Sequence, residues 1–504
     1  MTKTIDPQGN ATSITYNTSG QPLTITDGRG NITTNTYDNV GNPVKVKDPL
    51  NNDTTYTYDG VSRRLTMKDA LNGVTTYTYD SNNNRLTVTD PAGGTNISTY
   101  DGNGNRLTAQ DPMGNIARYA YDVKDLLIET TDAMNNKVTS TYDALDRKIS
   151  VKDKKGNTTA FTYDGAGNLL TATDPPGNVT AYTYDGNGNR LSETNPSGKT
   201  TTSVFDALNR LVSVSDPMGN AATYGYDAAG RMTSTTNPKG QTTRLDYDKA
   251  GRLTKVTDPA GGTVEHTYDA NGNRLTMKDT NGNITAFVYD AGGRLTRKTE
   301  PLGNVHSYSY DAGGRLTQYI TPKQETIVYA YDANGRLTGI TYPGNAAVSF
   351  TYNKNGMKTA LTDSLGSSSF TYDALNRITV SSDPFGNTVR YGYDANGNQT
   401  GLTYPDGKAV SYTYDSSNRL TSLLDWLGKT TGYTYDATGR LTGIALPNGV
   451  TTAYAYDNAG RLTSLANAQS GGTIVARYAY TLDAVGNHLN VSREEPLSYP
   501  SVPI

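Results

Sequence analysis

An aromatic residue followed by an aspartate recurs every 21 residues along this 504-residue sequence. Twenty-two aromatic residues, which we call the markers, run in this register from Tyr16 to Tyr456, and all but Tyr16 and Tyr352 are followed by aspartate. The one irregular step, of 20 residues, leads to Tyr372. A fixed period of this length indicates a tandem array in which each copy is one small supersecondary unit. The pairs that represent the repeat are Tyr58 and Asp59, Tyr184 and Asp185, Tyr247 and Asp248, Tyr331 and Asp332, and Tyr435 and Asp436.

Each repeat carries two turn signals, which in one repeat are residues 248–251 (Asp-Lys-Ala-Gly) and 258–261 (Asp-Pro-Ala-Gly). Asp, Pro and Gly at the first, second and fourth positions are typical of a type I turn, and the glycine supplies the left-handed residue of a three-residue hairpin with a bulge. We name the turn that follows each marker aromatic the Tyr-Asp turn, and the other the Asp-Pro turn. Between the turns the residues alternate with period two, so the chain is predicted to be all-β with no helical segment.

Two strands in each repeat predict about 44 strands, which at a spacing of about 4.8 Å would make one sheet roughly 210 Å wide. Open sheets of more than about ten strands curl or split, because the right-handed twist accumulates from strand to strand. We therefore predict that this continuous antiparallel sheet coils, so that successive passes cover each other's edges. A spiral wall around a space and a long coiled rod both satisfy this requirement.

The repeats occur in two spacings. In the earlier form, as at residues 104–107 (Gly-Asn-Arg-Leu), the leucine lies seven residues after the marker; in the later form, as at residues 335–338 (Gly-Arg-Leu-Thr), it lies six residues after. A slip of one residue moves a side chain to the other face of a sheet. One class is therefore predicted to carry an additional β-bulge between the leucine and the Asp-Pro turn, with a change of sheet curvature near Phe205.

Composition narrows the class of protein. The formal net charge of −3 and the pI of about 5.7 do not fit the basic face of a nucleic-acid-binding protein. The sequence contains no cysteine, so disulfides and thiolate chemistry are excluded, and either an oxidising or a reducing compartment is compatible. No apolar run approaches the ~18 residues of a membrane span, and the first ten residues, MTKTIDPQGN, lack the apolar core of a signal peptide.

The repeats resemble the Rhs/YD repeats of bacterial Rhs proteins, of the C subunits of Tc insecticidal toxins and of animal teneurins. The resemblance rests on the Tyr-Asp pairs, the Gly-Arg-Leu-Thr runs and the Asp-Pro-x-Gly turns, and it covers about residues 4–465. It implies a β-sheet that spirals into a hollow shell. In the toxin members of the family this shell encloses a C-terminal effector, and in teneurins it is an extracellular adhesion scaffold.

We expect a repeat array over residues 1–465, followed by an irregular final repeat and C-terminal tail over residues 466–504. The register breaks after Tyr456, since the next comparable pair, Leu482 and Asp483, lies 26 residues further on. Toxin-bearing relatives end their shells with an aspartyl self-cleavage segment and a variable toxin, and neither is recognisable here. The sequence leaves open whether the chain is a piece of a larger protein or whether repeats alone are the product.

No catalytic, cofactor-binding or metal-binding constellation is predicted. The histidines are His266, His306 and His488, and packing is the predicted role of His266 because other repeats have an aromatic residue at that position. Residues 80–84 and 269–273 resemble the start of a calcium-binding EF-hand loop. That loop requires a glycine at its sixth position and a glutamate at its twelfth, and both are missing.

Aromatic residues also suggest a binding surface. Exposed aromatics stack on sugars, but tyrosines that recur on one face of a sheet are better explained as a packing ladder. Trp426 stands where an Asp-Pro turn normally has proline, so it is a candidate contact point, with packing against a neighbouring coil as the alternative.

These observations predict a non-enzymatic shell or scaffold from an Rhs-type export or toxin-delivery protein, secreted or at the cell surface, without a cofactor. Its expected partner is an enclosed polypeptide cargo that is not part of this sequence. A surface module for adhesion or carbohydrate binding is one alternative, and an extracellular repeat filament that self-associates end to end is another. Neither a nucleic-acid partner nor a membrane span is expected.

Overall fold

The computed structural model of the chain describes residues 1–495. In this part of the chain, 47 strands form one antiparallel sheet in which sequence neighbours pair, as the all-β prediction required. Residues 496–504, the end of the predicted tail, lie outside the described residues.

The first 23 strands are β1 (Thr2–Ile5), β2 (Ala11–Tyr16), β3 (Pro22–Thr26), β4 (Ile32–Tyr37), β5 (Pro43–Lys47), β6 (Asp53–Tyr58), β7 (Arg64–Lys68), β8 (Val74–Tyr79), β9 (Arg85–Thr89), β10 (Thr95–Tyr100), β11 (Arg106–Gln110), β12 (Ile116–Tyr121), β13 (Leu127–Thr131), β14 (Lys137–Tyr142), β15 (Lys148–Lys152), β16 (Thr158–Tyr163), β17 (Leu169–Thr173), β18 (Val179–Tyr184), β19 (Arg190–Thr194), β20 (Thr200–Phe205), β21 (Leu211–Ser215), β22 (Ala221–Tyr226) and β23 (Met232–Thr236).

The remaining strands are β24 (Thr242–Tyr247), β25 (Leu253–Thr257), β26 (Thr263–Tyr268), β27 (Arg274–Lys278), β28 (Ile284–Tyr289), β29 (Leu295–Thr299), β30 (Val305–Tyr310), β31 (Leu316–Ile320), β32 (Thr326–Tyr331), β33 (Leu337–Thr341), β34 (Ala347–Tyr352), β35 (Lys358–Asp363), β36 (Gly366–Tyr372), β37 (Ile378–Ser382), β38 (Thr388–Tyr393), β39 (Gln399–Thr403), β40 (Ala409–Tyr414), β41 (Leu420–Leu424), β42 (Thr430–Tyr435), β43 (Leu441–Ala445), β44 (Thr451–Tyr456), β45 (Leu462–Ala468), β46 (Ile474–Leu482) and β47 (His488–Glu494).

The turns have the predicted three-residue form. In the Asp-Pro turn between β25 and β26, the N–H of Asp258 donates to the carbonyl of Gly262 (2.9 Å), and the N–H of Gly261 donates to the carbonyl of Asp258 (3.0 Å). Gly261 has a φ of 89°, which is the left-handed conformation that this turn needs and that glycine adopts at little cost. Helical structure in residues 1–495 is limited to one 3-10 turn, Pro343–Asn345, at an Asp-Pro position where Tyr342 supplies no carboxylate.

Both spacing classes share one hairpin geometry, so the predicted additional bulge is wrong. In the earlier class Tyr79 pairs with Arg85, and at the change of class Phe205 pairs with Leu211. In both, the partner lies six residues beyond the marker and the seventh residue is skipped by a bulge. The bulge therefore belongs to every repeat, and the two classes differ only in which side chain faces the marker.

The sheet is a single layer with two unequal faces. In β34 the side chains of Phe350 and Tyr352 are half-buried, whereas Ser349 and Thr351, which alternate with them, are exposed. Among the described residues, Val410 is the only hydrophobic side chain that is fully buried. Cross-strand pairs and contacts between neighbouring repeats therefore provide most of the packing, in place of a second layer.

The described chain divides into two units. Unit 1 contains residues 1–119, 132–134 and 244–387, and unit 2 contains residues 120–131, 135–243 and 388 onward. Each unit combines an N-terminal part of the sequence, which we call its earlier stretch, with a C-terminal part, its later stretch. Inside each unit, Asp-Pro turns of the earlier stretch contact Tyr-Asp turns of the later stretch. In unit 1, Asn271 Nδ2 donates to Asp27 Oδ2 at 2.6 Å; in unit 2, Lys155 Nζ lies 3.0 Å from Asp394 Oδ2. Within each unit, two passes of the sheet thus meet through their turns, whereas the prediction was that they cover each other's strand edges.

One turn offers a direct test of the left-handed position. Gln324 has a φ of 65° in the turn that begins at Thr321, although a side chain with a Cβ is disfavoured there by about 1–2 kcal/mol. We expect Gln324→Gly to raise the thermal midpoint and Gln324→Val to lower it, measured by differential scanning calorimetry. Equal midpoints for the two variants would contradict this account of the turn.

Candidate functional site

The aspartate after each marker closes its own turn. Asp59 Oδ1 accepts hydrogen bonds from the backbone N–H groups of Val61 and Arg63, both at 3.0 Å. These bonds satisfy turn N–H groups that a short hairpin leaves without backbone partners. The same two bonds, from the second and fourth residues beyond the aspartate, recur at the aspartates that follow the other representative markers: Asp185, Asp248, Asp332 and Asp436.

The arginine of the Gly-Arg-Leu-Thr run connects one repeat to the next. Arg315 Nε donates to Asp311 Oδ2 of its own turn (2.7 Å), and its Nη1 donates to the carbonyl of Asp332 in the following Tyr-Asp turn (2.9 Å). Its guanidinium carbon lies 4.9 Å from the ring centre of Tyr331, a cation–π distance. Equivalent contacts are made by Arg63, Arg147, Arg210, Arg252, Arg294, Arg336 and Arg419.

The marker tyrosine completes the connection. The hydroxyl of Tyr331 donates to the carbonyl of Leu316 at 2.8 Å, and Leu316 directly follows the arginine that covers the tyrosine ring. The hydroxyls of Tyr58 and Tyr435 make the same bond, 15 residues back along the chain. Where the preceding repeat has this arginine, the marker is therefore held at its ring, at its hydroxyl and at the carbonyl of the next residue. We call this set of contacts the Tyr-Asp-Arg ladder.

Asparagine replaces arginine in several repeats of the earlier class. Asn189 Nδ2 donates to Asp185 Oδ2 at 2.8 Å, so the carboxylate of this turn is still satisfied. Arg190, one residue later, lies over the ring of Tyr182 at 5.4 Å instead of over a marker. The tyrosines were predicted to form a packing ladder, but the link that the arginine makes between repeats was not predicted. The residue four positions after the turn aspartate is arginine or asparagine in most repeats, and this pattern could have indicated that the residue binds the aspartate.

A cluster of titratable side chains in unit 1 was also missed. Lys298 Nζ lies 2.8 Å from Glu300 Oε1, and His306 Nδ1 is 2.7 Å from the hydroxyl of Tyr319. The ring of Tyr319 stacks on that of Tyr308, with centres 5.3 Å apart. The hydrogen bond to Glu300 raises the pKa of Lys298, which is the reverse of what an amine nucleophile requires. The cluster is thus an internally paired polar patch. It is detectable in the sequence because Lys298 and Tyr319 stand at usual aliphatic positions, and His306 stands at a usual threonine position.

The remaining predicted positions lie as follows. His266 is half-buried, with its Nδ1 lacking a hydrogen-bond partner, and burial followed by the charge of Arg274 lowers its pKa. Trp426 is 48% exposed and packs edge-on against Tyr404 of the preceding Asp-Pro turn, with ring centres 5.8 Å apart.

Acidic and histidine side chains do not converge on a metal site. Within residues 1–495, no three such groups stand close enough together to hold an ion. In the loop at Asp80 that resembles an EF-hand, the carboxylate accepts hydrogen bonds from the backbone N–H groups of Asn82 and Asn84. Over the same residues, no helix has the length and apolar character needed to cross a bilayer.

A single-layer sheet of short hairpins, joined by a ladder that each repeat extends to the next, defines a tandem β-hairpin repeat protein. Two family models match this chain. The model described as RHS Repeat matches residues 37–73, 63–95, 100–136, 121–158, 372–409, 393–430, 414–450 and 435–471. The model described as Teneurin YD-shell matches residues 156–299 and 224–363. The chain belongs to the Rhs/YD-repeat family.

Solved structures share the fold at low sequence identity. The crystal structure of TcdB2-TccC3-Cdc42 matches with a TM-score of 0.63 and 15% identity over 94% of this chain and 35% of that chain. The Tc holotoxin pore of Photorhabdus luminescens with the TccC3-D651A mutation matches with a TM-score of 0.54 and 16% identity, over 94% of this chain and 31% of that chain. This chain thus spans about a third of the length of these toxin structures. No curated protein matches it.

Replacing one ladder arginine should loosen a defined pair of repeats. Lysine at position 315 keeps the charge but loses the forked donor geometry that reaches both Asp311 and Asp332, so Arg315→Lys is expected to cost about 1–2 kcal/mol. Hydrogen exchange of β31 and β32 should become faster than in the wild type. The matched control is Arg118→Lys on the exposed face of β12, and equal effects of the two substitutions would contradict the ladder.

Acid should weaken the ladder. Hydrogen bonds from Arg147 and Asn189 lower the pKa of Asp143 and Asp185, respectively, relative to about 3.9 in an unfolded chain. Because the folded pKa is depressed, this stabilisation is complete above the unfolded value and is lost as the pH falls through the folded one. At constant ionic strength we expect the thermal midpoint to be flat from about pH 6 to 8 and to fall below about pH 4. A midpoint that rose on acidification would rule this out.

Proposed function

We propose that this chain is a non-enzymatic structural shell or scaffold, secreted or at the cell surface, whose wall encloses a polypeptide cargo. The ladder supports this proposal most directly. Marker hydroxyls donate to neighbouring carbonyls and marker rings lie under arginines, as Tyr331 does with Leu316 and Arg315. The conspicuous tyrosines are therefore used to build the wall, and a sugar-binding surface would need them free.

The fold of the Tc toxin structures supports the same proposal, because those structures contain TccC3 with TcdB2 and in a Tc holotoxin pore. The resemblance to that family implies enclosure of an effector. We assign the array to residues 1–465 and a distinct final segment to residues 466–504. Strands β46 and β47 support a distinct final segment, since their lengths of 9 and 7 residues depart from the usual alternation of five and six, and β45 crosses the proposed boundary.

Electron microscopy of the purified chain tests the proposal. Class averages that show a hollow or cup-shaped particle are the expected result. A solid rod, or particles joined end to end through their terminal strands, would replace the container with a fibre or an adhesin.

A fused passenger tests enclosure by function. A disordered, protease-sensitive polypeptide is appended after Ile504, and its digestion by proteinase K is compared between the folded fusion and the same fusion unfolded in urea. After correction for the effect of urea on the protease, digestion in the folded fusion should be at least about tenfold slower. The control is the same passenger on an unrelated carrier of similar size. Equal digestion rates on the two carriers would overturn the cargo role.

A further inference from the structure

The two passes of unit 1 meet in a regular way. The third residue of an earlier Asp-Pro turn lies against the third residue of a later Tyr-Asp turn. A Cβ added to Gly292 would lie 2.9 Å from Leu50 Cδ1, and one added to Gly313 would lie 2.6 Å from Leu71 Cδ1. Apolar side chains of one turn thus fill the space that glycine leaves in the other.

Polar contacts accompany this packing. Asn355, third in a later Tyr-Asp turn, accepts a hydrogen bond from the N–H of Met113 (3.1 Å) and donates from Nδ2 to Asp111 Oδ2 (2.6 Å). Asn271 makes the same pair of bonds with Arg29 and Asp27. We call this two-bond arrangement the asparagine clasp. Each clasp joins a Tyr-Asp turn to an Asp-Pro turn, so the interface is made between unlike edges.

Each stretch of unit 1 has a second turn edge that this interface leaves uncovered. On the later stretch, the Asp-Pro turns carry Leu302 and Phe385, which are 92% and 73% exposed, whereas Leu71 in the covered interface is 37% exposed. On the earlier stretch, the Tyr-Asp turns carry Val40 and Val61, which are 79% and 68% exposed. Large apolar side chains this exposed on both edges are candidates for an interaction surface.

The uncovered edges also carry both halves of the clasp. Asn82 is the third residue of its Tyr-Asp turn, the position of Asn271 and Asn355, and it is exposed. On the other edge, Asp279 Oδ2 and Asp383 Oδ2 each accept one bond from the asparagine of their own turn. Asp27 Oδ2 in the covered interface accepts that same bond and the clasp bond together. The later Asp-Pro edge and the earlier Tyr-Asp edge therefore both carry apolar side chains, and their hydrogen-bonding groups are complementary.

We propose that these two edges bind each other between copies of this chain, the later Asp-Pro turns of one copy packing on the earlier Tyr-Asp turns of the next. A second copy is the occupant because one molecule presents both complementary surfaces, and because the interface continues one already made inside unit 1. The contact joins unlike surfaces, so it leaves one edge free on each end of a dimer and allows longer stacks. This association is edge to edge through turns and does not use the terminal strands β1 and β47.

Sedimentation velocity of the full chain tests the inference. We expect the weight-average mass to rise with concentration through dimers to larger species. Two edge variants should each abolish long stacks: Leu302→Glu with Phe385→Glu on the Asp-Pro edge, and Val61→Glu on the Tyr-Asp edge. The control is Val328→Glu, an exposed position on a strand face, which should associate like the wild type.

Mixing the two edge variants gives the decisive result. Each edge variant alone should be monomeric, but the two together should form a heterodimer that grows no further, since one intact edge of each kind remains. Calorimetric midpoints equal to the wild type confirm that the variants are folded. A monomeric wild type at about 100 μM, well above the dissociation constant of a specific contact, would overturn the inference. Association that survives both edge variants would overturn it as well, in favour of pairing through β1 and β47.

Discussion

A sheet of one layer has no interior to fill, so its stability must come from contacts along the sheet. In this chain those contacts are the Tyr-Asp-Arg ladder: a carboxylate that closes a turn, an arginine that reaches the next turn, and a tyrosine held between them. Each hydrogen bond of this kind contributes only about 0.5–1.5 kcal/mol. Because the ladder recurs along the array and links neighbouring repeats, its small contributions add, as in other repeat proteins.

The ladder also explains the unusual composition. The chain has 38 tyrosines and 52 glycines among 504 residues, and both serve local geometry. Glycine supplies the left-handed residue of many turns, while tyrosine offers a ring for the arginine and a hydroxyl for the carbonyl of the previous repeat. A sheet stabilised in this way needs no second layer of secondary structure.

The local structure was predictable because its causes are local. The 21-residue period, the alternation within strands and the Asp-Pro-x-Gly signals specified hairpins, turns and the all-β class. The bulge prediction was wrong because a shift of leucine from the seventh to the sixth position was read as a backbone change, whereas Arg85 and Leu211 face their markers in one register. The clasp between Asn355 and Asp111 was not predictable, since its partners are set by how far the sheet turns over many strands.

The distance between clasp partners has a further consequence. Three backbone N–H bonds between the passes, from Arg29, Ala92 and Met113, each span 242 residues, which is eleven repeats of 21 and half a repeat more. Because each repeat has two turns, the additional half repeat places an Asp-Pro turn of one pass opposite a Tyr-Asp turn of the other. Gain or loss of one whole repeat between the passes would keep unlike turns opposed, but it would give every later turn a new partner. Matched pairs such as Leu71 with Gly313 therefore tie the number of repeats between the passes to the sequence of distant repeats, so a duplication or deletion of one repeat would require compensating changes far away in the chain.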